Sequence, residues 1–309
     1  EVPRGSRCHD GRLRLLLRVR AALVLFVSTR GAAGTLLLDF DPTSLGQNST
    51  HQPTNYSVWR WSTTGGHNAT MVLSNGSRGT QVDFGVGYCE YNASGGPGGH
   101  NPYPPTHDVF GCYRSELSLQ RAIQDMVIDW QPGVGSSVRW FGLALLLPKS
   151  YAWDTLAPNN GPSFQIHDGN GEGYKGLHPI LELTAVQDRW TLTTSHGHGE
   201  DPNRDTFDLG PTRPGLWEDW VIRTQFSPLA KGLLEIWRNG VNVLPTVLVA
   251  NAYNDTRHPY IKFGVYKAAW KVHQGYRVRR AALSYAAFRV GDEHATYAEV
   301  STAPTGLRL

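Results

Sequence analysis

The sequence contains little sulfur, with only three cysteines and two methionines among its 309 residues. A metal site built from cysteines would need more ligands than these. Long apolar runs are scarce as well. The run Ala21–Val27 is far shorter than the ~20 apolar residues that a membrane-spanning helix needs. We therefore expect neither a cysteine-based metal centre nor a membrane span.

A surplus of positive charge is also missing once the N-terminal segment is set apart. Residues 1–34 resemble a secretory leader, with arginines before the apolar run Ala21–Val27 and the small residues Gly31–Gly34 after it. This segment holds seven arginines and two acids, so residues 35–309 carry 22 Lys and Arg against 24 Asp and Glu. Such a balance gives no global field that would attract nucleic acid. We expect a secreted protein whose mature domain spans residues 35–309.

Sequons for N-glycosylation are numerous, and they favour secretion. The six acceptors are Asn48, Asn55, Asn68, Asn75, Asn92 and Asn254. Chance explains any single sequon about equally well. Because Cys8 falls in the leader, Cys89 and Cys112 remain as a candidate disulfide in an oxidising compartment.

Strand patterns between Gly, Pro and Asn breaks predict an all-β protein. The residues after the leader are enough for one large β-sandwich domain. Strands are predicted at Thr35–Asp41, Ser137–Pro148 and Ala282–Asp292, and a hairpin at Leu233–Leu244. In the hairpin, Asn239-Gly240 supplies the positive φ angles of a tight turn. The one helix candidate is Ser118–Met126.

Three predicted strands place polar side chains on one face, because residues i and i+2 of a strand point the same way. These residues are Gln165 and His167 in FQIHDG, Arg114 and Glu116 in YRSEL, and Tyr260, Lys262, Gly264 and Tyr266 in YIKFGVYK. Each pair taken alone is more often an ordinary cross-strand contact than a functional site. Three such strands in one chain favour a shared site.

These side chains suit β-elimination at a uronic acid, which removes the C5 proton α to the carboxylate and expels the O4 leaving group. Arg114 and Gln165 can neutralise the carboxylate and so stabilise the enolate-like dianion. His167 has the pKa range of a general base near neutral pH. Tyr266 is expected to be the acid, or the base if cations such as Lys262 lower its pKa. The reaction needs no cofactor.

The same stretches resemble the signature strands of jelly-roll polysaccharide lyases that cut alginate and related uronans. The signature stretches are RSEL, QIH and YIKFGVY. The stretches WFGLALLLP, WEDWVIRTQFSP, GLLEIWRNG and AALSYAAFRVGD look more like the glucuronan-lyase and heparin-lyase-I-like branch. The resemblance covers roughly Thr35 to Asp292. It implies a concanavalin-like β-jelly-roll sandwich with a substrate groove on the concave sheet.

The resemblance also implies roles for the polar residues of the three strands. Arg114 and Gln165 would hold the substrate carboxylate, and His167 and Tyr266 would move protons. Lys262 and Glu116 would line the substrate-binding cleft. On this basis we expect a monomeric lyase that cleaves an anionic, glucuronan-like or alginate-like polysaccharide.

One departure and several alternatives accompany this interpretation. Alginate lyases usually have an arginine where Ser118 follows RSEL, and the missing charge argues against alginate as the specific substrate. A non-catalytic carbohydrate-binding sandwich would keep the groove without the chemistry. A glycoside hydrolase needs two opposed carboxylates, and the signature strands offer only Glu116.

The presence of a structural calcium ion stays an open question, although a calcium loop starting at Asp168 has Pro179 at its twelfth position. The loop carrying His100 and His107 is a further candidate contributor to the site.

Overall fold

The structure is a computed structural model, and it describes residues 35–40, 42, 59–64, 69–87, 114–119, 127–153, 159–168, 178–197, 202–256, 258–267, 278 and 280–304. The leader-like segment 1–34 lies outside these residues, as do Cys89 and Cys112. The leader and the disulfide therefore stay predictions.

Fifteen strands and a short C-terminal helix, α1 (Tyr297–Val300), make up the regular structure of the described residues. The strands are β1 Leu36–Phe40, β2 Trp59–Thr64, β3 Ala69–Gly76, β4 Gly79–Gly87, β5 Arg114–Leu119, β6 Val138–Leu146, β7 Asn159–His167, β8 Leu181–Val186, β9 Arg189–His196, β10 Asn203–Pro211, β11 Trp217–Gln225, β12 Gly232–Arg238, β13 Val241–Val249, β14 Tyr260–Tyr266 and β15 Arg280–Gly291.

The strands form two antiparallel sheets. The eight-stranded sheet has the order β13-β12-β11-β6-β15-β4-β3, with β1 also paired to β15. The seven-stranded sheet has the order β10-β9-β8-β7-β14-β5-β2. Most neighbours are not consecutive in sequence, so the chain passes repeatedly between the sheets. The predicted all-β sandwich is confirmed.

Aromatic side chains from both sheets fill the space between them. Phe164 of β7 and Phe263 of β14 lie 5.7 Å and 5.4 Å from Phe288 of β15, measured between ring centroids. At the other end, Trp190 of β9 packs edge-on against Trp220 of β11 at 5.5 Å. All five side chains are buried. This apolar core orients the seven-stranded sheet, whose opposite face is polar.

The predicted strands agree with the structure, whereas the first two residues of the predicted helix do not, and residues 120–126 lie outside the described ranges. The segment predicted as a central strand is β6, which pairs with β11 on one side and β15 on the other. The predicted hairpin is β12–β13, with φ angles of 50° at Asn239 and 85° at Gly240. The helix prediction is wrong at its start, because Ser118 and Leu119 end strand β5. Within the described ranges, no helix is both long and apolar enough to cross a membrane.

Candidate active site

Three neighbouring strands of the seven-stranded sheet, β5, β14 and β7, bring the predicted site residues together. Across β5–β14, Tyr266 lies opposite Arg114, and across β14–β7, Lys262 lies opposite Gln165. Tyr260 lies opposite His167. Directly opposed residues share a face of the sheet. The predicted alternation is therefore confirmed, and we call this polar face of the seven-stranded sheet the site face.

The residues between them point into the core. Five of these residues are fully buried and belong to the main hydrophobic cluster: Leu117, Phe164, Ile166, Ile261 and Phe263. Their burial fixes which face each strand turns toward the core, because a one-residue slip would exchange the two faces. The apolar residues of the motifs thus hold the polar ones in place.

A glycine brings β14 close to β5 in the middle of the site. Gly264 lies opposite Glu116 and has a φ angle of 141°. A Cβ atom at this position would lie 2.3 Å from the Ser115 carbonyl oxygen and 2.7 Å from the Glu116 Cα. Only glycine fits both this backbone conformation and this contact.

Glu116 forms the floor of the site, with its side chain 1% exposed. Its Oε1 accepts a hydrogen bond of 2.5 Å from Nε2 of Gln165, and its Oε2 lies 3.2 Å from Nε of Arg114. Burial raises the pKa of Glu116, while Lys262, Arg114 and the Gln165 hydrogen bond act in the opposite direction. A side chain this buried on the site face means that the face is recessed at this point.

Arg114 joins Glu116 to Tyr266. The guanidinium carbon of Arg114 lies 4.6 Å from the centre of the Tyr266 ring, in a cation–π arrangement. The Arg114 side chain is 17% exposed, and Tyr266 is partly exposed at the end of β14. Both side chains thus reach the surface of the recess while Glu116 lies beneath them.

His167 is held in one tautomer. Its Nδ1 lies 2.7 Å from the backbone carbonyl oxygen of Asp168. Since a carbonyl only accepts, Nδ1 carries the proton and Nε2 of the neutral ring keeps its lone pair. Burial, with the nearby Lys262 charge, lowers the pKa of His167 to about 4, although the Asp168 hydrogen bond opposes the shift. The imidazole is therefore neutral at physiological pH.

Tyr260 belongs to the same cluster, although no role was predicted for it from the sequence. Its ring lies 5.3 Å from the His167 ring, and Nζ of Lys262 lies 4.8 Å from its centre. Burial raises the pKa of the Tyr260 hydroxyl, which stays protonated. Its place on the face shared by Lys262 and Tyr266 was a sufficient signal in the sequence.

Comparison with known proteins identifies the family and the fold of the chain. A family model described as "Polysaccharide lyase" matches residues 46–281. The chain belongs to this polysaccharide lyase family. Among solved structures, the endo-beta-1,4-glucuronan lyase from the fungus Trichoderma reesei aligns with a TM-score of 0.62 at 16% identity, covering 86% of this chain and 98% of that one. Alginate lyase A1-II', of polysaccharide lyase family 7, aligns with a TM-score of 0.42 at 15% identity, covering 71% and 83%.

These identities are low, so the likeness to the glucuronan lyase shows the fold alone, and it confirms the predicted jelly-roll architecture of this polysaccharide lyase. A search of curated proteins by sequence found no match.

The remaining predicted sites of this polysaccharide lyase fall into two groups. Asn75 and Asn254 are exposed, as glycosylation acceptors must be, and their modification stays a prediction. The other four sequons, at Asn48, Asn55, Asn68 and Asn92, lie outside the described residues. The loop with His100 and His107 lies outside them as well.

Proposed function

We propose that the protein is a secreted lyase that cleaves a uronic-acid polysaccharide, glucuronan-like, by β-elimination. The observation that carries this proposal is the meeting of a carboxylate-binding pair, Arg114 and Gln165, with a neutral imidazole at His167 and a tyrosine at Tyr266 on one recessed face. Membership of the polysaccharide lyase family supports the reaction class.

The first requirement of the reaction is to neutralise the substrate carboxylate. Arg114 offers a guanidinium, and Gln165 offers the second hydrogen of an amide whose first is donated to Glu116. Glu116 is bonded to Gln165 and paired with Arg114, so in this scheme it positions both donors. The donors then face the carboxylate oxygens, where negative charge grows as C5 loses its proton.

Proton transfer completes the reaction. Nε2 of His167 takes the C5 proton, C4 and C5 become joined by a double bond, and the C4–O4 bond breaks. Tyr266 gives its phenolic proton to O4. His167 then releases its extra proton to solvent and Tyr266 takes one up, which restores the starting protonation of both residues. No water is consumed and no cofactor is required. Lys262 and Tyr260 surround the imidazole and keep it neutral and oriented.

The choice of polymer rests on two observations. The glucuronan lyase of Trichoderma reesei shares the fold over nearly its whole length. In addition, Ser118 lies opposite Lys262, at the position where the alginate pattern has an arginine. A glucuronan-like substrate therefore fits better than alginate.

A hydrolase is less consistent with the site. Glu116 and Glu182 lie on the same face but on β5 and β8, three strand spacings apart, or ~14 Å. Inverting hydrolases hold their carboxylates about 6.5–9.5 Å apart, and retaining ones closer. Both carboxylates are also buried and bonded to other side chains.

A panel of uronans tests the proposal. The wild-type protein should release unsaturated uronate, measured by its ultraviolet absorbance, fastest from glucuronan. Tyr266→Phe keeps the ring, so circular dichroism should show a folded protein while kcat falls about 10²–10⁴-fold, the usual contribution of general acid–base catalysis. Reducing ends without absorbance would indicate a hydrolase. Binding without cleavage would indicate a carbohydrate-binding module.

A further inference from the structure

The polar row of the site face continues beyond the candidate active site. Gln165 lies opposite Glu182 of β8, Glu182 opposite Thr193 of β9, and Thr193 opposite Thr206 of β10. Opposed residues share a face, so all four side chains lie on the site face. The hydroxyl oxygens of Thr193 and Thr206 are 3.1 Å apart. The row ends at β10, the edge strand of the sheet.

An ion pair lies along this row. Arg204 is two residues from Thr206 on β10, so it shares the site face, and its Nη2 donates to Oε1 of Glu182 across β9. The Glu182 side chain is 8% exposed and that of Arg204 is 34% exposed. Burial raises the pKa of Glu182, and Arg204 opposes the shift. A buried carboxylate thus anchors a guanidinium that still reaches solvent.

This ion pair is close to the candidate active site. Glu182 is one strand spacing, ~4.8 Å, from Gln165 and three spacings, ~14 Å, from Glu116, which pairs with Arg114. His178 connects the two places electrostatically. Burial and the Arg204 charge lower the pKa of His178, and His178 in turn contributes to the lowered pKa of His167.

We propose that Arg204, held by Glu182, forms a second anion subsite that binds the carboxylate of another uronate unit in the same polysaccharide chain. This inference rests on the proposed function, in which Arg114 and Gln165 hold the carboxylate of the unit being cleaved. A guanidinium presents a planar fork that matches a carboxylate, and its bond to Glu182 restricts the side chain before substrate arrives. Among the described residues Glu182 is the hydrogen-bond partner of Arg204, and it engages only Nη2.

The chemical consequence is selection for a polyanion. A uronan carries a carboxylate on every unit, whereas a neutral glucan carries none. Two anion subsites on one face would therefore favour a chain built of uronates over a chain in which most units are neutral.

The test compares Arg204→Ala with a matched control, Arg189→Ala. Arg189 lies on the same β9–β10 hairpin and also pairs with a carboxylate, Asp208, but both side chains are exposed, at 48% and 55%. The substrates are glucuronan oligosaccharides of increasing length. For Arg204→Ala we expect KM to rise roughly ten- to a hundredfold on long oligosaccharides, the factor typical of a hydrogen bond between charged groups, with kcat little changed. The shortest cleaved oligosaccharide should be affected least, and Arg189→Ala should match the wild type.

Direct binding separates this subsite from the reaction. Titration calorimetry with the longest oligosaccharide should show the same loss of affinity in Arg204→Ala. If the wild type binds in an Arg204-dependent way but releases no unsaturated product, the subsite stands and the proposed function fails. If Arg204→Ala is folded, with a melting temperature near that of the wild type, and shows unchanged KM and affinity at every length, the subsite is overturned. Absence of any binding by the wild type would overturn it too.

Discussion

Among single residues, burial shifts the pKa values of His167 and Glu116, and in each case it favours the neutral form of the side chain. The pKa of His167 falls because burial penalises the imidazolium, and the pKa of Glu116 rises because burial penalises the carboxylate. Arg114 and Lys262 strengthen the first shift and weaken the second. The site therefore holds two cations, Arg114 and Lys262, beside Glu116, and it keeps the imidazole of His167 free to accept a proton.

The lowered pKa of His167 predicts unusual activity in acid. If neutral His167 is the base, kcat/KM should fall only as the pH drops through about 4, instead of through the ordinary value of 6.5. An acid limb near 6.5 would contradict this assignment.

The lowered pKa of His167 also makes the folding stability depend on pH, and this dependence is an independent check of the pKa. The unfolded chain binds a proton at this histidine below 6.5 and the folded protein does so only near 4, so folding stability should decline as the pH falls between these values. Denaturant melts of His167→Gln across the same range should lack this part of the decline.

Glu116 gives the complementary prediction. Its raised pKa means that the folded state holds a proton that the unfolded state has released, so the wild type loses stability as the pH rises from 4.5 through the folded-state pKa. In Glu116→Gln this loss disappears. The melting temperature of the variant relative to the wild type should therefore increase with pH, while kcat/KM drops because Arg114 and Gln165 lose their anchor. A stability difference that does not change with pH would contradict the raised pKa.

Among the structural elements, the close approach of β14 and β5 depends on Gly264. In Gly264→Ala the Cβ atom would overlap backbone atoms of Ser115 and Glu116, in addition to the strain of a positive φ angle. Gly79→Ala is the matched control, because its φ is also positive, at 90°, but a Cβ there meets nothing within 4 Å. Chemical denaturation should show Gly264→Ala losing more stability than Gly79→Ala by about 1–3 kcal/mol, with loss of activity. Equal losses of stability would mean that the close approach of β14 and β5 at Gly264 does not contribute to stability.

The strands also show what the sequence can predict. Alternation in FQIHDG, YRSEL and YIKFGVYK was enough to place seven polar residues on one face, because a buried face leaves only one allowed register. The hairpin at Asn239-Gly240 was predictable from turn chemistry. The segment Ser118–Met126 was misread at its start, since strand pairing with β14 and β2 outweighed a local helical pattern.

Contacts between residues on strands that lie apart in the sequence could not be predicted from the sequence. Glu182 and Arg204 meet only because β8, β9 and β10 are adjacent, and nothing in their local motifs signals a pair. The burial of Glu116 and the resulting change in its role depend likewise on neighbours from β14 and β7.

In the whole molecule, the two sheets pack against each other to form the core, and the outer face of the seven-stranded sheet carries the polar residues. Aromatic packing between them fixes the seven-stranded sheet, and the polar row on its other face runs from β5 to β10. In our proposal this row binds more than one uronate unit of the polymer, with the reacting unit at β5, β14 and β7. The fold supplies a rigid surface, and the reaction needs only side chains already on it.

The most direct test of the central claim is the fate of water during cleavage. Glucuronan oligosaccharides would be cleaved in water labelled with heavy oxygen, and the products weighed by mass spectrometry. Because β-elimination breaks the C4–O4 bond without adding water, the product masses should sum to that of the substrate, with no label taken up by the bond-breaking step. Label in the newly formed ends immediately after cleavage, with products heavier by one water, would mean hydrolysis and would contradict the assignment of this site as a lyase.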